Sequence, residues 1–148
     1  TSLVSACDIR LATKDAKFSI GETKLGLVAD VGVIQRMPKI VSSGDMNELA
    51  LTGRIFDGEH AEKIRFVSKA YGNSDELFEA GEKLANEISS NSKRIVQATK
   101  EALEKSSNLT VDQGLEYAKL WSTSFLVSED LREGVMAFLE KRDPKFNE

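Results

Sequence analysis

Two acids frame the least polar stretch of the chain. In "GETKLGLVADVGVIQRMP", residues 21–38, Glu22 and Asp30 lie on either side of a glycine-punctuated apolar run containing Leu25, Leu27 and Val28, with Val31 just beyond. A carboxylate enclosed by Leu, Val and Ala is poorly solvated, which lifts its pKa toward neutrality and makes it a usable general acid or base. Two such groups around one substrate could relay a proton between separated carbons. Plainer roles stay open: a Glu after Gly is often a solvated or capping carboxylate, and an Asp before Val-Gly is often a turn former. Other chemistries have less to stand on. Cys7 falls in an apolar alternation that reads as a strand, His60 in a charged helical stretch that reads as surface, and neither has metal-ligand spacing around it. "GLVADVG" lacks both the lysine of a P-loop and the glycine spacing of a dinucleotide site.

The elements that must position the two acids are short. "CDIRLA" (7–12) alternates like a half-buried strand, and "KFSI" (17–20) is a second candidate after the turn-like "KDA". Residues 21–33 carry Gly21, Gly26 and Gly32 without a clear period, which predicts a loop held by its own apolar side chains. A helix is predicted from about Val33, another through "DMNELALT", a short one in "GRIFDGEHAEKI", and a strand at "FVSKAY" (66–71). The rest is helical. Leu77, Gly81, Leu84, Ala85 and Ile88 share one face after an Asn73 or Ser74 cap, and Ile95, Thr99, Ala102 and Leu103 share another. Thr110 and Gln113 have the spacing of a capping box. A last helix is predicted from about Ser128 to Arg142, burying Leu131, Val135, Phe138 and Leu139 until Pro144 stops it. Residues 1–72 thus hold the irregular, chemistry-bearing part, with 1–40 the place to seek function, and 73–148 form a helical region.

Totals narrow the function classes. The 148 residues fit one domain by length, and 41% hydrophobic with 30% charged residues is ordinary for a folded protein. A net charge of −4 with no Lys/Arg run argues against nucleic acid as partner. One cysteine excludes an internal disulfide and points to a reducing compartment. No apolar run approaches the ~20 residues of a membrane span. The chain opens at Thr1 without an initiator Met, in what reads as mid-structure, so a longer parent is expected.

The residues around the two acids resemble a known family. "LVSACDIRLATKDAKFSIGETKLGLVADVGVIQRMPKIV" is similar to the crotonase (enoyl-CoA hydratase/isomerase) superfamily, and "ADVG", where hydratases usually carry a Pro-Gly-rich word, is similar to its dienoyl-CoA isomerase branch. "NELALTGRIFDGEHAEKIRFVSKAY" matches a further family element, with Arg65 where Gly is usual. "EISSNSKRIVQATKEAL", with Lys93 replacing a common Pro, and "SEDLREGVMAFLEKRDPKF" continue the likeness in order.

The resemblance implies an α/β crotonase spiral of which this chain is the mainly helical C-terminal part, with two or three short strands. It implies that Glu22 and Asp30 are the two carboxylates that take a proton at one end of an acyl-CoA diene and return it at the other. Ser2 matches a position that is acidic in the family, which puts water addition in doubt more than isomerisation. Ser2, Leu27 and Gly32 are expected at the substrate pocket. Phe138 and Lys141 match positions that approach CoA from a neighbouring subunit, though Phe138 also fits a core role. An acyl-CoA thioester is implied as substrate rather than cofactor, with no metal, in a homo-trimer or hexamer of fatty-acid oxidation. Mitochondrion or peroxisome is implied, or cytoplasm if the protein is bacterial. The family's carbonyl-polarising N–H groups match nothing in this chain, so little activity is expected of it alone. The alternatives are an enoyl-CoA hydratase, a Δ3,Δ2-enoyl-CoA isomerase, or a non-catalytic assembly module.

Overall fold

Two short strand pairs organise the first part of the chain in this computed structural model, which describes residues 1–146. In order the elements are β1 (Leu11–Thr13), β2 (Lys17–Phe18), α1 (Val33–Arg36), α2 (Ser43–Thr52), β3 (Phe56–Asp57), α3 (Gly58–Lys63) and β4 (Lys69–Tyr71). They are followed by α4 (Ser74–Ser89), α5 (Lys93–Ser106), α6 (Val111–Thr123) and α7 (Glu129–Glu140). β1 runs parallel to β4, with Leu11 opposite Lys69, Ala12 opposite Ala70 and Thr13 opposite Tyr71. β2 lies antiparallel to β3, pairing Lys17 with Asp57 and Phe18 with Phe56.

The chain divides into two compact units, Thr1–Glu82 and a second from Lys83 onward. In the first, two-stranded ribbons cannot stand alone and lean on an apolar core. Phe66, Val67, Val33 and Met37 are fully buried there, with Ile20 and Leu49 nearly so. Phe18 packs 5.5 Å from Phe56 and edge-on 5.4 Å from Phe66, the offset geometry that aromatic quadrupoles favour. Arg10 threads this region: its Nε donates to the Phe66 carbonyl at 2.6 Å, and its Nη1 to the Cys7 carbonyl at 2.6 Å. The second unit gathers α5, α6 and α7. Trp121 of α6 donates its indole N–H to the Ala98 carbonyl of α5 at 2.9 Å and stacks on Tyr117.

Most helix starts follow local chemistry. Ser42, Asp57, Asn73, Ser92 and Ser128 each accept a backbone N–H three residues on. The Thr110–Gln113 capping box is formed in both directions. Other expectations need correction. The strand expected from Cys7 begins only at Leu11 and that expected from Phe66 only at Lys69, because each exists only where the other offers a partner. Cys7 is exposed, at the end of a 3-10 turn (Val4–Ala6), and not in a strand. His60 is half-buried, edge-on to Phe56 at 5.9 Å. α7 stops at Glu140, where Lys141 turns left-handed, three residues before Pro144 could act. Its apolar residues Leu131, Val135 and Leu139 are exposed, and the buried one is Ala137.

Two backbone positions carry consequences. A Cβ on Gly58 would collide with the Thr13 carbonyl oxygen and come within 2.9 Å of its carbonyl carbon. Arg65 adopts φ +65°, the left-handed region that disfavours a side chain and in which glycine is at ease. Arg65→Gly is expected to raise unfolding free energy by about 0.5–1 kcal/mol. Gly58→Ala should lower it by about 1–3 kcal/mol. Urea melts of the two variants beside the parent chain check both signs.

Candidate functional site

Glu22 owes its position to the end of α2. The chain leaves β2 through Ser19, whose hydroxyl donates to the Gly53 carbonyl at 3.2 Å, and then buries Ile20. A 3-10 turn over Glu22–Leu25 follows, pinned to α2 by the Thr23 hydroxyl, which donates to the Ala50 carbonyl at 2.6 Å. Gly26, at φ +72°, reverses the chain, and the Leu27 N–H donates back to the Glu22 carbonyl at 3.0 Å. Glu22 and Leu27 are thereby joined through one backbone hydrogen bond, with the Glu22 side chain half-buried.

Asp30 sits on the outgoing limb. Ala29 before it is buried, whereas Asp30 and Val31 are exposed. Gly32, at φ +83°, then opens α1, whose Val33 is fully buried. The Arg36 guanidinium lies across the bare face of Gly32, and its Nη2 donates to the Val31 carbonyl at 3.1 Å. Among the described residues neither the Glu22 nor the Asp30 carboxylate makes a hydrogen bond or an ion pair.

The expected enclosure of these acids is not supplied by the described residues. Leu25, Leu27, Val28 and Val31 are 62–81% exposed, so they do not hold the loop by burial. What holds it is two polar contacts, Thr23 on α2 and Arg36 on the Val31 carbonyl beside Gly32, and one small apolar anchor, Ala29 in the core. Arg36 and Thr23 carry no motif of their own, and the only signal for Arg36 is its position four residues after a glycine that starts a helix.

Ser2 is half-buried, its carbonyl accepting the Ser5 hydroxyl at 2.7 Å. Phe138 and Lys141 belong to the second unit. Phe138 is 82% exposed, which corrects its core alternative, and Lys141 ends α7 at φ +53°. There the Arg142 N–H donates to the Ala137 carbonyl at 3.0 Å and the Lys141 N–H to that of Phe138 at 3.3 Å, the pattern of a Schellman end. An open apolar groove of about 690 Å³ runs through this unit, with Trp121, Phe125, Leu131, Val135 and Phe138 on its walls. No group of three or more metal-ligating side chains occurs among the described residues, and none of their helices is long and apolar enough to cross a membrane.

With this geometry in hand, comparison places the chain. It belongs to the enoyl-CoA hydratase/isomerase family, which it matches over residues 1–148. Among individual proteins it is similar to a mitochondrial Delta(3,5)-Delta(2,4)-dienoyl-CoA isomerase of Dictyostelium discoideum, with 48% identity over 97% of this chain and 49% of that protein. A peroxisomal isomerase of the same name from Arabidopsis thaliana is 43% identical over 97% of this chain and 52% of its own length. The chain therefore spans about half the length of the curated relatives it matches. Of solved structures, an enoyl-CoA hydratase from Mycobacterium tuberculosis superposes with TM-score 0.90 at 32% identity, covering 98% of this chain and 57% of that one. Pseudomonas aeruginosa DspI gives TM-score 0.92 at 29% identity, covering 99% and 55%. The fold is the expected α/β crotonase fold, here mostly helical with few short strands.

One carboxylate of the second unit has a shifted titration. The Arg142 guanidinium forks onto both oxygens of Glu133, at 2.6 and 3.0 Å, and the Lys145 N–H adds a third bond at 2.7 Å. Together they hold Glu133 down from 4.5 to about 2. A depressed carboxylate contributes stability that is fully present above its unfolded value and lost as pH falls through its folded value. The turn after Lys141 is thus expected to stay ordered through pH 4.5 and loosen only toward about 2. The ¹⁵N shifts of the Lys145 amide and of the two Arg142 Nη atoms should titrate with that lower midpoint; a midpoint at 4.5 contradicts the fork.

Proposed function

We propose that this chain carries the proton-transfer carboxylates of an enzyme that shifts the double bonds of dienoyl-CoA thioesters. In this reading one of Glu22 and Asp30 removes a proton at one end of the diene and the other delivers a proton at the far end. Net charge and oxidation state are unchanged, so the reaction calls for no redox cofactor or metal, and the acyl-CoA is substrate. The observation that carries the reading is the loop itself. It presents two carboxylates with no partner among the described residues, flanked by exposed Leu27, Val28 and Val31, as a site for an apolar acyl chain with acidic C–H bonds requires. The names of the relatives support the same substrate class.

The donors that polarise the thioester carbonyl come, on this reading, from sequence outside these residues, as do the walls that desolvate the acids. Leu27 and Gly32 would face the acyl group with Ser2 at its margin. Phe138 and Lys141 would meet CoA across a subunit boundary in a trimer or hexamer, and mitochondrion or peroxisome is the compartment the relatives' names favour. Enoyl-CoA hydration is the alternative, since solved neighbours carry that name. A Ser hydroxyl at position 2 disfavours it, being no proton-transfer base at neutral pH without an activating partner.

The test is a chimera in which this chain replaces the matching 144-residue segment of the Dictyostelium discoideum relative. Dienoyl-CoA isomerisation is expected to exceed enoyl-CoA hydration. Glu22→Gln and Asp30→Asn should each lower kcat by about 10²-fold or more. Full activity in both variants, or hydration as the dominant reaction, overturns the proposal.

A further inference from the structure

We infer that Arg36 is a positioning residue for Asp30, its guanidinium stapling down the two residues that follow the carboxylate. The inference rests on the reading of Asp30 as a proton-transfer group.

Gly32 stands at φ +83°, where a side chain is strained, and the space a Cβ would take is filled by Arg36, whose Cζ and Nη2 would lie 2.8 Å from it. Nη2 donates to the Val31 carbonyl at 3.1 Å, while the Arg36 N–H donates to that of Gly32 at 3.1 Å. Side chain and backbone of one residue thus grip the two consecutive carbonyls directly after Asp30. The grip has a firm base, since α1 and the turn after it are anchored by Val33 and Met37, both 0% exposed. Upstream, Ala29 is buried at 8% exposure. Asp30 is therefore held between an apolar anchor and a cationic staple, while its own side chain is exposed.

The guanidinium suits this place because it is flat and forked. It covers a bare Cα while directing an N–H at a carbonyl in the same plane, which the tetrahedral ammonium of Lys cannot do. Without it the Val31–Gly32 peptide regains the freedom that glycine confers, and the aim of Asp30 spreads.

The test has two arms. In the 148-residue chain, Arg36→Ala and Arg36→Lys should speed hydrogen exchange at the residue-36 amide, which donates to the Gly32 carbonyl, by roughly tenfold relative to its intrinsic rate, with the α2 amides unchanged as a control for folding. In the chimera described above, both variants should lower kcat by about 10- to 100-fold while KM stays within about twofold. Arg36→Ala added to Asp30→Asn should cost little more, because both act on one group. Unchanged kcat in Arg36→Ala, full activity in Arg36→Lys, or additive losses overturn the inference while leaving the role of Asp30 intact. Full activity in Asp30→Asn instead overturns the two-carboxylate reading, and the inference with it.

Discussion

The first unit depends on the burial of Phe66 and Val67 between two strand pairs that are each too short to persist alone. Their side chains carry no access to water, and Phe66 offers an edge or face to both Phe18 and Phe56. That aromatic contact fixes β2 against β3, β3 leads into α3, and α3 returns the chain to β4 beside β1. Gly58 sits where this circuit closes on the Thr13 carbonyl, and its missing side chain is a condition of the closure. The loop bearing Glu22 and Asp30 is cantilevered from this frame, with Thr23 at one root and α1 at the other.

What was legible in the sequence divides by the range of the interaction involved. Caps made within three residues, such as Thr110 with Gln113 or Asn73 with Glu76, are written locally and form as expected. Arg65 could be singled out as standing where glycine is usual, and its positive φ supplies the physical reason. Strand lengths were not legible, since three residues of β1 are a strand only because three of β4 lie beside them. Periodicity identifies which face of a helix is apolar but not whether that face is covered. Leu131, Val135 and Leu139 were thus expected inside and lie outside.

The same division holds for the candidate site. Glu22 and Asp30 were singled out as candidates from residue chemistry and family likeness, both local to one stretch of sequence. Their surroundings were misjudged for a single reason: Leu25, Leu27, Val28 and Val31 are apolar enough to enclose a carboxylate, yet enclosure needs matter on every side. In these residues they form an open apolar rim. Thr23 and Arg36 escaped notice because a hydroxyl on Ala50 and a guanidinium on Gly32 are contacts of tertiary structure or backbone shape, with nothing in composition to mark them.

The indole of Trp121 turns the second unit into its own reporter. The chain has one tryptophan, hydrogen-bonded to a carbonyl inside α5, stacked on Tyr117 at 6.0 Å and edge-on to Phe125 at 5.6 Å. Tryptophan emission, excited selectively to the red of tyrosine absorption, is therefore a signal from the second unit, silent about the strands and the loop. A mismatch between fluorescence and far-ultraviolet dichroism during unfolding would read directly as the two units melting at different points.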